Sequence, residues 1–383
     1  MTTPRLEIDL EKISHNARKL SALYGARSIG IAGVTKAVCG DPAVAAVLVD
    51  AGIHTLADSR TRNIERMREA GIRAQFVLLR SPALSQVQSA VKCADVSLNS
   101  ELSVIEELSK AAVANHVAHK ILLMVELGDL REGLMPADLG QAVELVDRSE
   151  GLVLAGIGTN LACFGGVRPD EDNVGQLSAL ARDIEDRFGI TLEFVSGGNS
   201  ANYEWFMATK DTGKINNLRL GESIFLGCES LHRKPIPGLF TDAFNLYAEV
   251  IESKVKPSQP YGEIGQGAFG KVPVFPDRGQ ISRAILGVGM QDVLVSGLTP
   301  RADIDILGAS SDHIIIDANR LDLRVGDEVE FHVNYGALLS SMTSPYVCKR
   351  YVDNAGDGSK ETNTPRRVAA PRHRRVLPNS FPR

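Results

Sequence analysis

Eight short apolar runs, each followed by a helix-like segment, occupy the first 230 residues and restrict the folds open to this chain. The runs are 29–34, 55–57, 75–79, 96–98, 121–125, 153–157, 194–195 and 218–220. Short apolar runs between amphipathic segments read as parallel strands covered on both faces. The segments between them carry helix punctuation. Asp41 precedes Pro42 as an N-cap before a first-turn proline, and Gly52 follows the end. Ser59 opens a polar helix that stops at Gly71, Ser81-Pro82 opens the next, Pro136 and Pro169 start two more, and Gly189 ends the last. Eight βα units predict a (β/α)8 barrel over residues 9–235 rather than an open doubly wound sheet.

From Pro235 the texture changes. Seven prolines between 235 and 300 break the chain into short β-rich runs at 246–253, 281–288, 302–307, 313–317 and 328–333. This predicts a C-terminal all-β domain over 236–352 with little helix. Residues 5–8 alternate as a strand that can join it. Residues 353–383 are polar and lack an apolar pattern, so they read as a disordered tail. The tail's basic cluster, Arg366, Arg367, Arg372, Arg374 and Arg375, reads as solvated charge before it reads as a contact for an acidic partner.

Composition narrows the function classes. The 42 basic and 47 acidic residues leave a net charge of −5, so no general basic field points to nucleic acid or anionic lipid. No run approaches the roughly 20 apolar residues of a membrane helix. Residues 1–9 lack the basic start and apolar core of a secretory signal, and a cytoplasmic protein is expected. Cys39, Cys93, Cys163, Cys228 and Cys348 are odd in number and far apart, which argues against a disulfide framework or a metal site.

In a barrel of this kind, chemistry sits just after the strand C-termini. Lys36 follows an unbroken apolar strand. It is either a solvated rim charge or a desolvated amine suited to a Schiff base. Ser196-Gly197-Gly198-Asn199-Ser200-Ala201 lies in the usual phosphate corner, where bare backbone and a hydroxyl suit an anion, and Gly221 offers a second bare approach. The plain alternative is a turn with a helix cap. A lysine and a phosphate pocket across one mouth together describe a pyridoxal phosphate (PLP) site. Arg219 is then either a ring-nitrogen contact that stays charged or half of a surface ion pair with Glu222. The glycine pattern Gly265-Gln266-Gly267-Ala268-Phe269-Gly270 mimics a dinucleotide site, but Lys271-Val272-Pro273 cannot open the helix that such a site needs.

These residues resemble the fold-type III PLP-dependent amino-acid racemases, of the alanine and ornithine racemase-like kind. The carriers are Gly33-Val34-Thr35-Lys36-Ala37, the segments 196–201 and 218–227, and the C-terminal blocks 306–317 and 325–329. The resemblance spans residues 5 to about 350. It implies that Lys36 forms the Schiff base to PLP and acts as one of two bases. It also implies that Asn199, Ser200 and Gly221 hold the phosphate, with Tyr346 beside it, and that Arg219 meets the ring nitrogen. Arg131 stands near the substrate carboxylate. The family is homodimeric, with the β domain of one subunit closing the barrel of the other.

The chain departs from the pattern at three places. The family's second base is a tyrosine from the partner's β domain, and Met290 stands at that position. The phosphate-side tyrosine after the lysine is replaced by Ala37-Val38-Cys39-Gly40, and a histidine usual after the sixth barrel strand is Asn160. Methionine cannot shuttle a proton, so His313, Asp312, Cys163 and Tyr335 become candidates for the second base, and Asp312 is also a candidate for substrate binding beside Arg131. The expected activity is racemisation of ornithine, lysine or alanine by exchange of the Cα proton, with no metal. A basic side chain would meet Glu132, Glu222 or Asp292. The alternatives are a fold-type III lyase or decarboxylase, or a non-catalytic PLP-binding protein.

Overall fold

The computed structural model describes residues 2–352 apart from 268, 271 and 273. The tail expected from residue 353 onward lies outside the described residues. The chain opens with β1 (Arg5–Asp9) and α1 (Leu10–Gly25). Eight strands then close a parallel barrel: β2 (Gly30–Val34), β3 (Thr55–Asp58), β4 (Gln75–Leu78), β5 (Val96–Asn99), β6 (His119–Val125), β7 (Leu152–Thr159), β8 (Phe194–Ser196) and β9 (Asn217–Leu220), which returns to β2. Each of the eight runs read from the sequence forms one of these strands. Between them lie α2 (Pro42–Asp50), α3 (Thr61–Glu69), α4 (Val87–Cys93), α5 (Leu102–Ala114), α6 (Leu139–Arg148), α7 (Glu171–Phe188) and α8 (Asn202–Ala208), and α9 (Glu222–Leu226) follows β9.

The barrel interior is packed, not hollow. Ala32, Val34, Ala57, Val77, Val96, Leu98, Leu122, Met124 and Ala155 form one buried cluster drawn from alternate strand positions. Burial of each larger side chain contributes roughly 1.5–3 kcal/mol. The caps follow the sequence at α2, where the Asp41 carboxylate accepts from Ala43 N and Val44 N at 3.0 and 3.1 Å. They follow it again at α7, where Asp170 and Asn173 form a capping box and Gly189 ends the helix left-handed. Ser59 does not cap α3. Asp58 takes the backbone N–H of Arg60 at 3.0 Å instead, and the helix starts at Thr61. Ser81-Pro82 is followed first by a 3-10 turn, and α4 begins at Val87.

This barrel unit runs from Asp9 to Ala243, past the expected boundary at 235. The extension is tied back by Asn16 on α1, whose amide accepts from Phe240 N and donates to Phe240 O, both at 2.8 Å.

The second unit combines residues 2–8 with Phe244–Arg350 among the described residues. It contains β10 (Phe244–Pro257), β11 (Gln280–Leu286), β12 (Leu298–Pro300), β13 (Asp305–Ala309), β14 (Ile314–Asp317), β15 (Glu328–Val333), α10 (Tyr335–Thr343) and β16 (Cys348–Val352). The sheet order is β12-β15-β10-β11-β14-β13. Strand β1 pairs antiparallel with β10, from Arg5 opposite Tyr247 to Ile8 opposite Phe244, and β16 pairs with β1. Arg5 is fully buried. It donates to Glu328 Oε2 at 2.9 Å and Glu7 Oε1 at 3.0 Å and stacks over the Tyr247 ring. The expectation of little helix needs one correction, because α10 starts at Tyr335 with Asn334 as its cap. The glycines at 265 and 270 lie in the connection between β10 and β11, with no helix among its described residues. No described helix is long and apolar enough to cross a membrane.

Candidate active site

Strand β2 points Ala32 and Val34 inward, and Lys36 opens the 3-10 turn over 36–38 that follows at the C-terminal mouth. Thr35 turns the other way and is fully buried. Its hydroxyl donates to Asp58 Oδ2 at 2.7 Å, while Asp58 Oδ1 accepts from Asn63 at 2.9 Å. The ends of β2 and β3 are thereby locked, and the backbone that launches Lys36 is fixed. Burial pushes the Lys36 amine below its ordinary pKa. Arg131 and Arg219 push it the same way, against Cys163 and Asp58, which favour the ammonium.

Arg219 projects from β9 into the same mouth, only 6% exposed. Nη1 donates to Ser196 Oγ at 2.5 Å and Nη2 to the Thr159 carbonyl at 2.6 Å. Ser196 in turn donates to Asn217 Oδ1 at 2.7 Å. The guanidinium is thus aimed by neutral oxygens. Burial pushes its pKa down to about 10, so it stays charged at neutral pH. The ion-pair alternative with Glu222 is ruled out, because Glu222 faces Arg233 at 3.2 Å.

The phosphate corner is built from two loops. Ser200 is buried, with its Oγ 3.1 Å from Ser223 Oγ, and it accepts from Ser223 N at 3.2 Å, which joins the loops after β8 and β9. Gly198 has φ +140°, and a Cβ there would lie 2.2 Å from Asn202 Oδ1. A Cβ on Gly221 would press on Val34 O at 3.1 Å. Asn199 is already engaged. It donates to Leu161 O at 2.8 Å and accepts from Ala201 N at 2.8 Å, which makes it a bracket for the loop after β7. A desolvated amine, a buried hydroxyl between bare backbone turns and a charged buried guanidinium fit PLP.

The rim opposite is set by β6 and β7. Arg131 pairs with Glu132, and its Nη1 lies 2.7 Å from Cys163 Sγ. The Asn160 amide sits between the guanidiniums of Arg131 and Arg219. Asp129 is fully buried beneath this rim. Its carboxylate accepts from Phe164 N at 2.8 Å, Cys163 N at 3.2 Å and Val167 N at 3.2 Å. Glu126, which the sequence reading passed over, accepts from Gly128 N and Leu130 N at 2.6 and 2.9 Å and shapes the preceding turn. Its only sequence signal was an acid directly after the apolar β6 run.

The structure therefore brings together Lys36, Arg131, Cys163 and Arg219, with Asn160, Asn199, Ser200 and Gly221 around them. The remaining candidates belong to the second unit. His313 Nδ1 lies 2.9 Å from Asp312 Oδ1 ahead of β14. Tyr335 starts α10, and Tyr346 is largely exposed after it. Met290 is half exposed, and its N–H donates to Ser310 O at 3.0 Å. Asp292 closes its own turn, accepting from Gly289 N at 3.2 Å and Ser344 Oγ at 3.3 Å. All five cysteines are free, and among the described residues no group of three or more His, Cys, Asp or Glu could hold a metal.

Comparison with known proteins places this geometry in context. The family model of the alanine racemase N-terminal domain matches residues 8–228. An ornithine racemase from Acetoanaerobium sticklandii is 39% identical over 350 residues, covering 90% of this chain and 99% of that one. A lysine racemase from Thermotoga maritima is 40% identical over 356 residues, covering 92% and 99%. The solved alanine racemase of Streptomyces coelicolor A3(2) superposes with a TM-score of 0.71 over 91% of this chain and 97% of its own, at 19% identity, a likeness of fold.

Proposed function

This chain belongs to the alanine racemase family, and we propose that its substrates are amino acids with a basic side chain, of the ornithine and lysine type. It is a PLP-dependent amino-acid racemase, an isomerase. When bound, PLP draws electron density from the substrate's Cα and weakens the Cα–H bond. In this reading Lys36 holds the cofactor carbon and moves a proton at Nζ. Burial, with Arg131 and Arg219 close by, pushes its pKa below the ordinary lysine value, the direction that favours a proton-accepting amine. Ser200 and the bare turns at Gly198 and Gly221 hold the phosphate, and Tyr346 remains a candidate beside it. Arg219 meets the ring nitrogen with donors that keep their protons, and Arg131 faces the substrate carboxylate.

The substrate class is supported by an acid set beside that arginine. Glu132 pairs with Arg131 at the rim, giving a cation and an anion for the two ends of a basic amino acid. Glu222 is occupied by Arg233. Both curated relatives near 40% identity are named for basic amino acids. The test is proton NMR of L-ornithine, L-lysine and L-alanine in D2O with PLP-loaded protein, followed by enantiomer analysis. Loss of the Cα proton with the D-form appearing for ornithine or lysine supports the reading. Turnover of alanine alone overturns the substrate class, and a cleaved or decarboxylated product would place the chain among the lyases. Glu132→Gln should raise KM for ornithine about tenfold, the loss of roughly one charge-assisted contact, and leave alanine unchanged.

A homodimer is part of the same proposal, by resemblance to the family. In that assembly His313, Asp312, Tyr335 and Tyr346 would serve the partner's barrel, and light scattering tests the assembly. Cytoplasmic residence is tested by fractionation.

A further inference from the structure

We infer that Cys163 is the proton-transferring group opposite Lys36, so that both groups of the racemisation come from one barrel; this rests on the racemase reading above. Inverting Cα requires one group to take a proton from one face and another to deliver a proton to the opposite face. By the family resemblance, Met290 stands where a partner tyrosine is expected, and it has no exchangeable side-chain proton.

Cys163 is not an isolated thiol. Its sulfur accepts an N–H from Arg131 at 2.7 Å, a charge-assisted contact that fixes where the sulfur sits at the mouth. Lys36 and Arg219 both lie within electrostatic reach of the Cys163 side chain. The groups facing the thiol are thus the cations Lys36, Arg131 and Arg219, with Glu132 paired to Arg131 and Asp129 bound to the Cys163 N–H. The backbone is clamped by Asp129, so the sulfur is held in place, while the side chain stays solvent-exposed.

The proton balance is simple. The substrate's Cα–H bond breaks and its proton forms S–H on Cys163. A proton leaves Lys36 Nζ and forms the new Cα–H bond on the other face. Nothing is oxidised or reduced. The exposed thiol then returns its proton to water and the amine regains one, and the opposite enantiomer runs the sequence in reverse.

The experiment uses the PLP-loaded enzyme, with Cys163→Ser, Lys36→Ala and Cys348→Ser as variants. Cys163→Ser should lower racemisation at least 100-fold while bound PLP is retained. It should still exchange the Cα proton of one enantiomer with D2O, the one that Lys36 serves. In parallel, iodoacetamide on wild-type enzyme, read by peptide mass spectrometry, should inactivate in step with Cys163 modification, and Arg131→Met should slow that modification at least threefold. Cys348→Ser, altering the other exposed thiol, should be fully active. Racemisation by Cys163→Ser within threefold of wild type, or full activity after complete Cys163 alkylation, overturns the assignment. If wild-type enzyme exchanges no Cα proton, or Lys36→Ala still racemises, it is the racemase reading that fails.

Discussion

Asp129 offers the sharpest test of how the site is held. Its side chain is fully buried and gathers three backbone N–H groups from the loop after β7: Phe164 at 2.8 Å, and Cys163 and Val167 at 3.2 Å. Replacing it with alanine removes the shared acceptor. The short bond to an ionised acceptor contributes about 1.5–2 kcal/mol and the two longer ones about 0.5–1 each, a total near 3 kcal/mol. At about 1.4 kcal/mol per tenfold change, loop opening becomes roughly a hundredfold easier. Hydrogen exchange followed by mass spectrometry on the peptide spanning residues 160–168 should therefore speed up by about two orders of magnitude. PLP content should be preserved, because Ser200 and Gly221 are held by other contacts. Racemisation should fall at least tenfold as Cys163 loses its position. Exchange within threefold of wild type at Cys163 and Phe164 would refute the clamp and remove the support for a fixed thiol.

Two further outcomes test the fold and the cofactor corner. His119 is buried against Ser97 Oγ at 2.8 Å, and burial pushes its pKa down to about 4. The native ring stays neutral while the unfolded ring protonates, so stability present at neutral pH is lost as pH falls from about 6.5 toward 4, amounting to about 2.5 kcal/mol by pH 4.5. His119→Gln should flatten that part of the urea-unfolding profile, and an unchanged slope would contradict the assignment. Gly198→Ala places a Cβ 2.2 Å from Asn202 Oδ1 at φ +140°, and PLP affinity measured by absorbance titration should drop at least tenfold. Wild-type affinity would mean that the turn does not hold the phosphate.

The barrel was legible because its signals are local. An apolar run that ends in Thr35-Lys36 marks both a strand and the residue it delivers to the mouth. Asp41-Pro42 marks a helix start by cap chemistry within three residues. What escaped the sequence depends on paths through space. Arg131 and Cys163 are 32 positions apart and meet only because buried Asp129 draws the second loop over the first. The alternative pairing of Arg219 with Glu222 could not be decided from the sequence for the same reason. Arg219 ends an inward-facing strand, while Glu222 begins the next helix and turns to Arg233. In the second unit, β12 has three residues and includes Pro300, too short and too broken to read as a strand. Helix α10 begins Tyr335-Gly336, a poor helical start that is rescued by Asn334 capping Ala337 N at 3.0 Å.

The buried ion cluster of Arg5 bears on how the chain is made. Arg5 is made before the barrel, yet its partner Glu328 lies 323 positions later and its strand neighbour Tyr247 arrives only after the whole barrel. During synthesis β1 must wait, unpaired, while the barrel that follows it has every strand it needs to close. A charged residue at its start keeps that waiting strand hydrated and discourages it from adding to a foreign sheet edge. The β unit that follows the barrel is thus keyed by a strand that precedes it, so deleting β1 would damage that later unit while leaving the intervening barrel intact.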